Sequence, residues 1–296
     1  MDALWVVFAL CRAVSAGAAA VLFGASAMLA LGGSPRLGVA AETALRPALL
    51  RIGAAGLVAT LCLLPLQAAS IAGDWRAMLD GEMLDTVTLQ TGYGQAWVVR
   101  ALCAAAVLGV ALGLRPGRPS WLAGPAALAL APLAFSGHAA MHEGGWGLAH
   151  TASDYLHLLA AAFWLGSLPV FMSWLAAWQR PRDRAEAARA LLRFSAWGHV
   201  AVAALLLSGV ANAALILGPA LPDAGWWDYV RVLLLKIALA LAMTGLALAN
   251  RYRWIARIRA EPALALHAIR RNTIWEMLLG AAVLVIVGGL GLMSPS

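Results

Sequence analysis

The chain has 296 residues, of which 62% are hydrophobic and only 12% charged, and its mean hydropathy is +0.81. A soluble protein of this size carries about 25% charged residues, so a soluble globular enzyme is excluded. The formal net charge of +7 is not a nucleic-acid footprint, because the arginines sit in short segments between apolar runs, as positive-inside loops do.

Successive apolar runs of about 18 residues or more define an all-α, polytopic membrane helical bundle. Eight spans are predicted, at 3–31, 46–71, 93–114, 120–140, 151–178, 193–217, 229–250 and 271–293, in a single membrane domain over 1–296. The opening MDALWVVFALCRAVSAG lacks a positive n-region and carries Arg12 inside its apolar run, so it reads as the first span rather than a cleaved signal peptide. Between the second and third spans, segment 72–92 reads as an acidic loop with Asp74, Asp80, Glu82 and Asp85. Segment 218–228 is similar, with Asp223 and Asp228 beside Trp226 and Trp227. The acids are expected to be solvated, and the tryptophans to anchor at the interface. Ala, Gly and Ser at three- or four-residue spacing, as in Ser208-Gly209 with Asn212-Ala213, allow close helix packing in lipid. Cys11, Cys62 and Cys103 are isolated in apolar runs, which indicates packing residues rather than a disulfide framework or thiolate clip.

Loop charge sets the expected orientation. Of the 21 Lys and Arg, only Arg76 falls in an outer loop when both termini are placed outside, while Arg12, Arg100, Arg231 and Lys236 fall within spans. The remainder gather at the opposite face, which is then cytoplasmic.

Ionisable groups inside spans are costly and face the bundle interior or a water-filled cavity. Here they are Arg12, Arg100, Asp154, His157, His199, Arg231, Lys236 and Glu276. The stretch from Ser136 to Phe171 holds four of the chain's six histidines, His138, His142, His150 and His157, with Met141, Glu143 and Asp154. His150, Asp154 and His157 stand at i, i+4 and i+7, on one face of a helix starting near Ala149. At 1.5 Å per residue, His157 falls about 8 Å below the outer surface, near the level of His138. Imidazole, carboxylate and thioether groups at one membrane mouth are the ligands of a copper site, and His with Asp also suits zinc. The expected metal set is His138, Asp154 and His157, with His150, His142 and Met141 in support. Asp154 could alternatively pair with Arg12, Arg100 or Arg231, or orient His157. Toward the inner end, His199 and Glu276 form a possible second site, or Glu276 bridges to a loop arginine. Arg100, Arg12 and Lys236 then complete a charge network.

No phosphate loop, zinc-protease helix or Ser/His/Asp set occurs, so ATP-driven pumping by this chain is not expected, and a catalytic role is not indicated.

Several pieces together resemble the copper resistance protein D family. They are Thr91-x-Tyr93-Gly94-x-x-Trp97-x-x-Arg100, Ser136-Gly137-His138-Ala139, and Asp154-x-x-His157-Leu158-x-Ala160-Ala161-x-x-Trp164-x-Gly166. Arg193-Phe194-Ser195, Lys236 with Asn250-Arg251, and Arg271 with Glu276 follow in order. The match spans most of 90–293, and the first two spans agree only in hydropathy. The resemblance implies an eight-span protein of the bacterial inner membrane in copper homeostasis, moving copper ions from periplasm to cytoplasm. It also implies a CopC-like periplasmic copper carrier, expected to be a separate protein. His199 lies outside the family pattern. One competing reading makes the chain a b-type haem protein exchanging electrons with quinone, His138 and His157 being axial ligands and buried arginines pairing the propionates. Another is a sensor or assembly partner that binds metal without moving it.

Overall fold

A computed structural model describes residues 3–32, 34–113, 120–135, 144–217 and 227–292. The described residues are helical throughout, joined by short turns. The long helices are α1 (Ala3–Gly32), α2 (Pro35–Ala72), α4 (Gly92–Gly113), α5 (Ser120–Phe135), α6 (Gly144–Trp178), α7 (Arg184–Leu217), α8 (Trp227–Leu248) and α10 (Pro262–Leu290). A 3-10 turn (Trp75–Leu79) and α3 (Gly81–Gln90) lie between α2 and α4, while a π-helical turn (Ala249–Trp254) and α9 (Ile255–Arg257) follow α8. Among the described residues seven helices are long and apolar enough to cross a membrane, and α5 is a shorter apolar helix.

Seven of the eight predicted spans coincide with helices of spanning length and the fourth with the shorter α5, and several of the helices overrun the apolar windows. α2 starts at Pro35, α7 at Arg184 and α10 at Pro262, because stretches such as Arg184–Arg193 are rich in Ala, Leu, Glu and Arg and stay helical in water. α6 likewise starts at Gly144, ahead of the Ala149 expected from the histidine spacing. The predicted end of the fourth span, 136–140, lies outside the described residues. Segment 72–92 is helical rather than a loop. Asp74 caps the 3-10 turn through Arg76 N at 3.0 Å, and Asp80 caps α3 through Glu82 N at 3.0 Å and Met83 N at 3.2 Å. Two acids expected to be merely solvated thus bind orphan amides at helix starts.

α1 is the hub, packed against α2, α5, α6 and α10. The contacts run through small residues. A Cβ at Gly24 of α1 would strike Ala162 O and lie 2.7 Å from Gly166 Cα of α6. One at Gly56 of α2 would strike Ala18 Cβ, and one at Gly288 of α10 would strike Ala9 O. Backbones this close gain dispersion contacts that lipid cannot replace. The large exposed hydrophobics, such as Leu102, Leu207 and Val210, point outward, as lipid-facing side chains must.

The resemblance motif at the head of α4 docks that helix. Thr91 Oγ1 accepts from Gly94 N at 3.0 Å, and a Cβ at Gly94 would strike Val87 O. Trp97 Nε1 donates to Thr60 O at 2.7 Å and Tyr93 OH to Leu63 O at 3.3 Å, both on α2. At the opposite end, Arg36 bridges Asp183 at 2.7 Å and Glu186 at 3.5 Å, tying the start of α2 to the α6–α7 turn.

Candidate functional site

α6 carries His150, Asp154 and His157 in the predicted register. His150 is 1% exposed, whereas Asp154 and His157 are half-buried and bonded to α7. His138, His142, Met141 and Glu143 lie outside the described residues. Among the described residues no three His, Cys, Asp or Glu side chains converge closely enough to hold a metal ion.

His157 Nδ1 lies 3.1 Å from Leu205 O and 3.2 Å from Ser208 Oγ. A carbonyl can only accept, so Nδ1 carries the proton and Nε2 keeps its lone pair. Ser208 donates its own proton to Ala204 O at 2.6 Å, leaving its oxygen free to accept from Nδ1. No described residue donates to Nε2. The ring occupies the space a side chain at Gly209 would need, with His157 Cε1 3.2 Å from that Cβ position.

Asp154 Oδ1 accepts from Asn212 Nδ2 at 3.2 Å, and Asn212 Oδ1 lies 2.6 Å from Ser153 Oγ. The serine hydroxyl donates to the amide oxygen, which turns the amide N–H group toward the carboxylate. The cation acting on Asp154 is Lys236 of α8, whose charge also acts on His157; Tyr229 of α8 is within electrostatic range of Asp154. The cation acting on Asp154 is therefore Lys236 and none of Arg12, Arg100 and Arg231, the partners expected for it from sequence. Ser208 and Asn212, read from sequence as parts of a small packing face, are hydrogen-bond partners of the site. Their i, i+4 spacing of polar side chains within a lipid span was the available signal.

This assembly offers one imidazole lone pair and one carboxylate opposed by an ammonium. An incoming cation meets a carboxylate on which the charge of Lys236 already acts, and the His157 Nδ1–H to carbonyl bond is the arrangement that orients a ligating imidazole.

The other predicted groups lie apart. His199 is exposed, its Nδ1 donating to Ser195 O at 2.6 Å and its Nε2 accepting from Tyr252 OH at 3.3 Å. Glu276 is 3% exposed and accepts from Trp164 Nε1 at 3.4 Å and Asn250 Nδ2 at 3.2 Å. Among the described residues no arginine bridges to it, and it shares no bonded partner with His199. Arg100 donates to Ser15 Oγ at 2.8 Å beside a cavity of about 30 Å³. Arg12 and Arg100 act on each other and on Tyr93, and Arg12 Nε has no hydrogen-bond partner among the described residues.

Comparison with known proteins covers most of the chain. Residues 188–290 match the family model for copper resistance protein D, and residues 1–148 match that for the N-terminal domain of copper resistance protein D-like proteins. The likeness therefore reaches the first two spans, which sequence reading had matched in hydropathy alone. The inner membrane protein YebZ of Escherichia coli K12 is 34% identical over 240 residues, 81% of each chain. Copper resistance protein D of Pseudomonas syringae pv. tomato is 36% identical over 271 residues, 84% of each chain. The copper transport protein CutJ of Bacillus subtilis 168 is 31% identical over 175 residues, 56% of this chain and 32% of that protein. No solved structure matches the chain.

Proposed function

The chain belongs to the copper resistance protein D family, and from that premise we propose that it takes copper ions across the bacterial inner membrane, from periplasm to cytoplasm. The termini and the α6 end bearing Asp154 face the periplasm in this reading, because the inter-helix arginines then lie in the cytoplasm. Relatives named as an inner membrane protein and as a copper transport protein support the setting.

The observation that carries the proposal is the lone pair of His157 Nε2, held in one tautomer by Leu205 O in the periplasmic half of the bundle. Copper ions arrive as cargo at His157 and Asp154, with His138, His142, Met141 and His150 as further ligands from the same stretch of chain. Before copper arrives, the charge of Lys236 partly offsets that of Asp154 across α6 and α8. Copper then competes with an ammonium, which weakens binding and keeps the ion free to leave inward, as passage requires. A CopC-like carrier is the proposed periplasmic donor.

Copper accumulation in cells producing the chain tests this. Substituting His157→Ala is expected to abolish the uptake above background, and His157→Gln to abolish it equally, because neither leaves an imidazole nitrogen. Equal accumulation in wild type and both variants would reject the site. An absorption spectrum of the purified protein adds an independent check, since a Soret band lost in His157→Ala would replace copper with haem b.

A further inference from the structure

Glu276 sits midway along α10, and its carboxyl has only neutral partners among the described residues. The groups acting on it are Trp164 of α6 and Asn250 of the π-helical turn. The cations of neighbouring elements are engaged elsewhere or turned outward. Arg253 and Arg257 stack over Trp254, and Arg251 makes no ion pair with Glu276 among the described residues. Lys236 of α8 faces Asp154, Arg231 lies one turn nearer the start of that helix, and Arg12 of α1 lies against Gly291 past the far end of α10. On α6, His157 is seven residues from Trp164, about 10 Å along the axis, with Asp154 and His150 further still. On α10 itself His267, Arg270 and Arg271 are exposed.

A carboxylate in a lipid-spanning core with no cation is avoided by protonation. The partners are arranged to accept either form. Asn272 Nδ2 lies 2.9 Å from Asn250 Oδ1, and Asn250 Nδ2 3.2 Å from Glu276 Oε1. With Glu276 ionised, Asn272 donates to Asn250 and Asn250 to Glu276. With Glu276 protonated, both amides turn over: the carboxyl O–H donates to Asn250 Oδ1, and Asn250 Nδ2 donates to Asn272 Oδ1. Amide nitrogen and oxygen occupy the same positions, so the same distances serve both directions. Trp164 Nε1 donates to the other carboxyl oxygen throughout. Asn250 is brought to this chain by the π-helical turn Ala249–Trp254, a widening that recurs at functional sites.

We propose that Glu276 is a reversible proton-binding site buried within the bundle, with Asn250 and Asn272 as an amide switch that follows its loading. The bound species is a proton, taken from cytoplasmic water as Glu276-COO⁻ becomes Glu276-COOH and released toward the periplasm as the carboxylate forms again. Its coupling rests on the transport reading above: a proton leaving Glu276 compensates the positive charge of the copper ion passing inward.

Two measurements test this separately. Membranes containing the full chain are treated with dicyclohexylcarbodiimide, an apolar reagent that modifies protonated carboxyls, and Glu276 modification is read by peptide mass. In parallel, the carboxylic-acid C=O stretch is followed by infrared difference spectroscopy between about pH 5 and about pH 9, the range in which buried carboxyls titrate. The expected result is modification of Glu276 that falls about tenfold or more across that range, together with an acid C=O band lost at high pH and absent in Glu276→Gln. An infrared band that is pH-independent, or unchanged in Glu276→Gln, overturns the site whatever the reagent does. In proteoliposomes with a pH-sensitive dye inside, Glu276→Gln is expected to lose the proton movement that accompanies copper entry. Copper entry with proton movement undiminished in Glu276→Gln overturns the coupling while leaving copper transport intact. Absence of copper entry in wild type overturns the transport reading and leaves the proton site to be decided by the infrared band.

Discussion

Asp154 and Lys236 show why single residues in this chain are read through their partners. An ammonium on α8 and a carboxylate on α6, each expensive alone in lipid, act on one another through their charges without an ion-pair contact. Replacing Lys236 by Met removes the cation that acts on the half-buried Asp154 without touching it, and a loss of about 1 kcal/mol is expected. Thermal unfolding of the detergent-solubilised protein measures it. The double variant Asp154→Asn/Lys236→Met should recover to within about 0.5 kcal/mol of wild type, since it removes both charges and with them their mutual attraction. A double variant no more stable than Lys236→Met alone would show that the two do not act as a pair. At this scale much was legible. The spacing of His150, Asp154 and His157 placed them correctly on α6, and Glu276 stood out as a carboxylate inside a span. The partners were not legible: Leu205 O, Asn212 and Asn250 lie 48, 58 and 26 residues away in sequence from the groups they bind.

Between elements, close approach is decided by glycine. The α1–α6 crossing brings Gly24 and Gly166 so near that a methyl on either meets backbone. Gly166→Ala is expected to destabilise by about 1–3 kcal/mol, because two rigid helices must part to admit it. Gly109→Ala in α4, where nothing lies within 4 Å, should be neutral or stabilise by about 0.5–1 kcal/mol through helix propensity. Unfolding midpoints of the two variants measured side by side distinguish crossing from propensity; equal shifts would contradict the packing. At α3, Asp80→Ala removes the acceptor of Glu82 N and Met83 N and should cost about 1 kcal/mol. Backbone hydrogen exchange confined to residues 81–84 reads that loss locally. Small residues at three- or four-residue spacing announced tight packing in the sequence, but they recur on nearly every span. Which glycine meets which helix depends on the helix crossings, and those follow from the whole arrangement.

Across the whole molecule, the arginine-bearing turns mark one end of the bundle, where Arg36, Arg180 and Arg182 surround the buried Asp183. A cysteine-free background, with Cys11, Cys62 and Cys103 replaced, allows the orientation to be measured. Leu79→Cys, on a 91% exposed residue between α2 and α3, is expected to react with a membrane-impermeant maleimide in intact spheroplasts. Arg182→Cys should react only after the membrane is opened, and the reverse pattern would invert the topology. The sequence alone determined that the chain is a multi-pass helical bundle. That information is local: apolar length and loop charge act on each segment separately, through the bilayer and without reference to other helices. The tertiary structure alone decided that α1 is the hub, that Lys236 faces Asp154, and that Glu276 sits among two asparagines and a tryptophan. Pairings of this kind depend on rotation and crossing between helices distant in sequence, and lipid-spanning helices of similar hydropathy carry no one-dimensional signal for either.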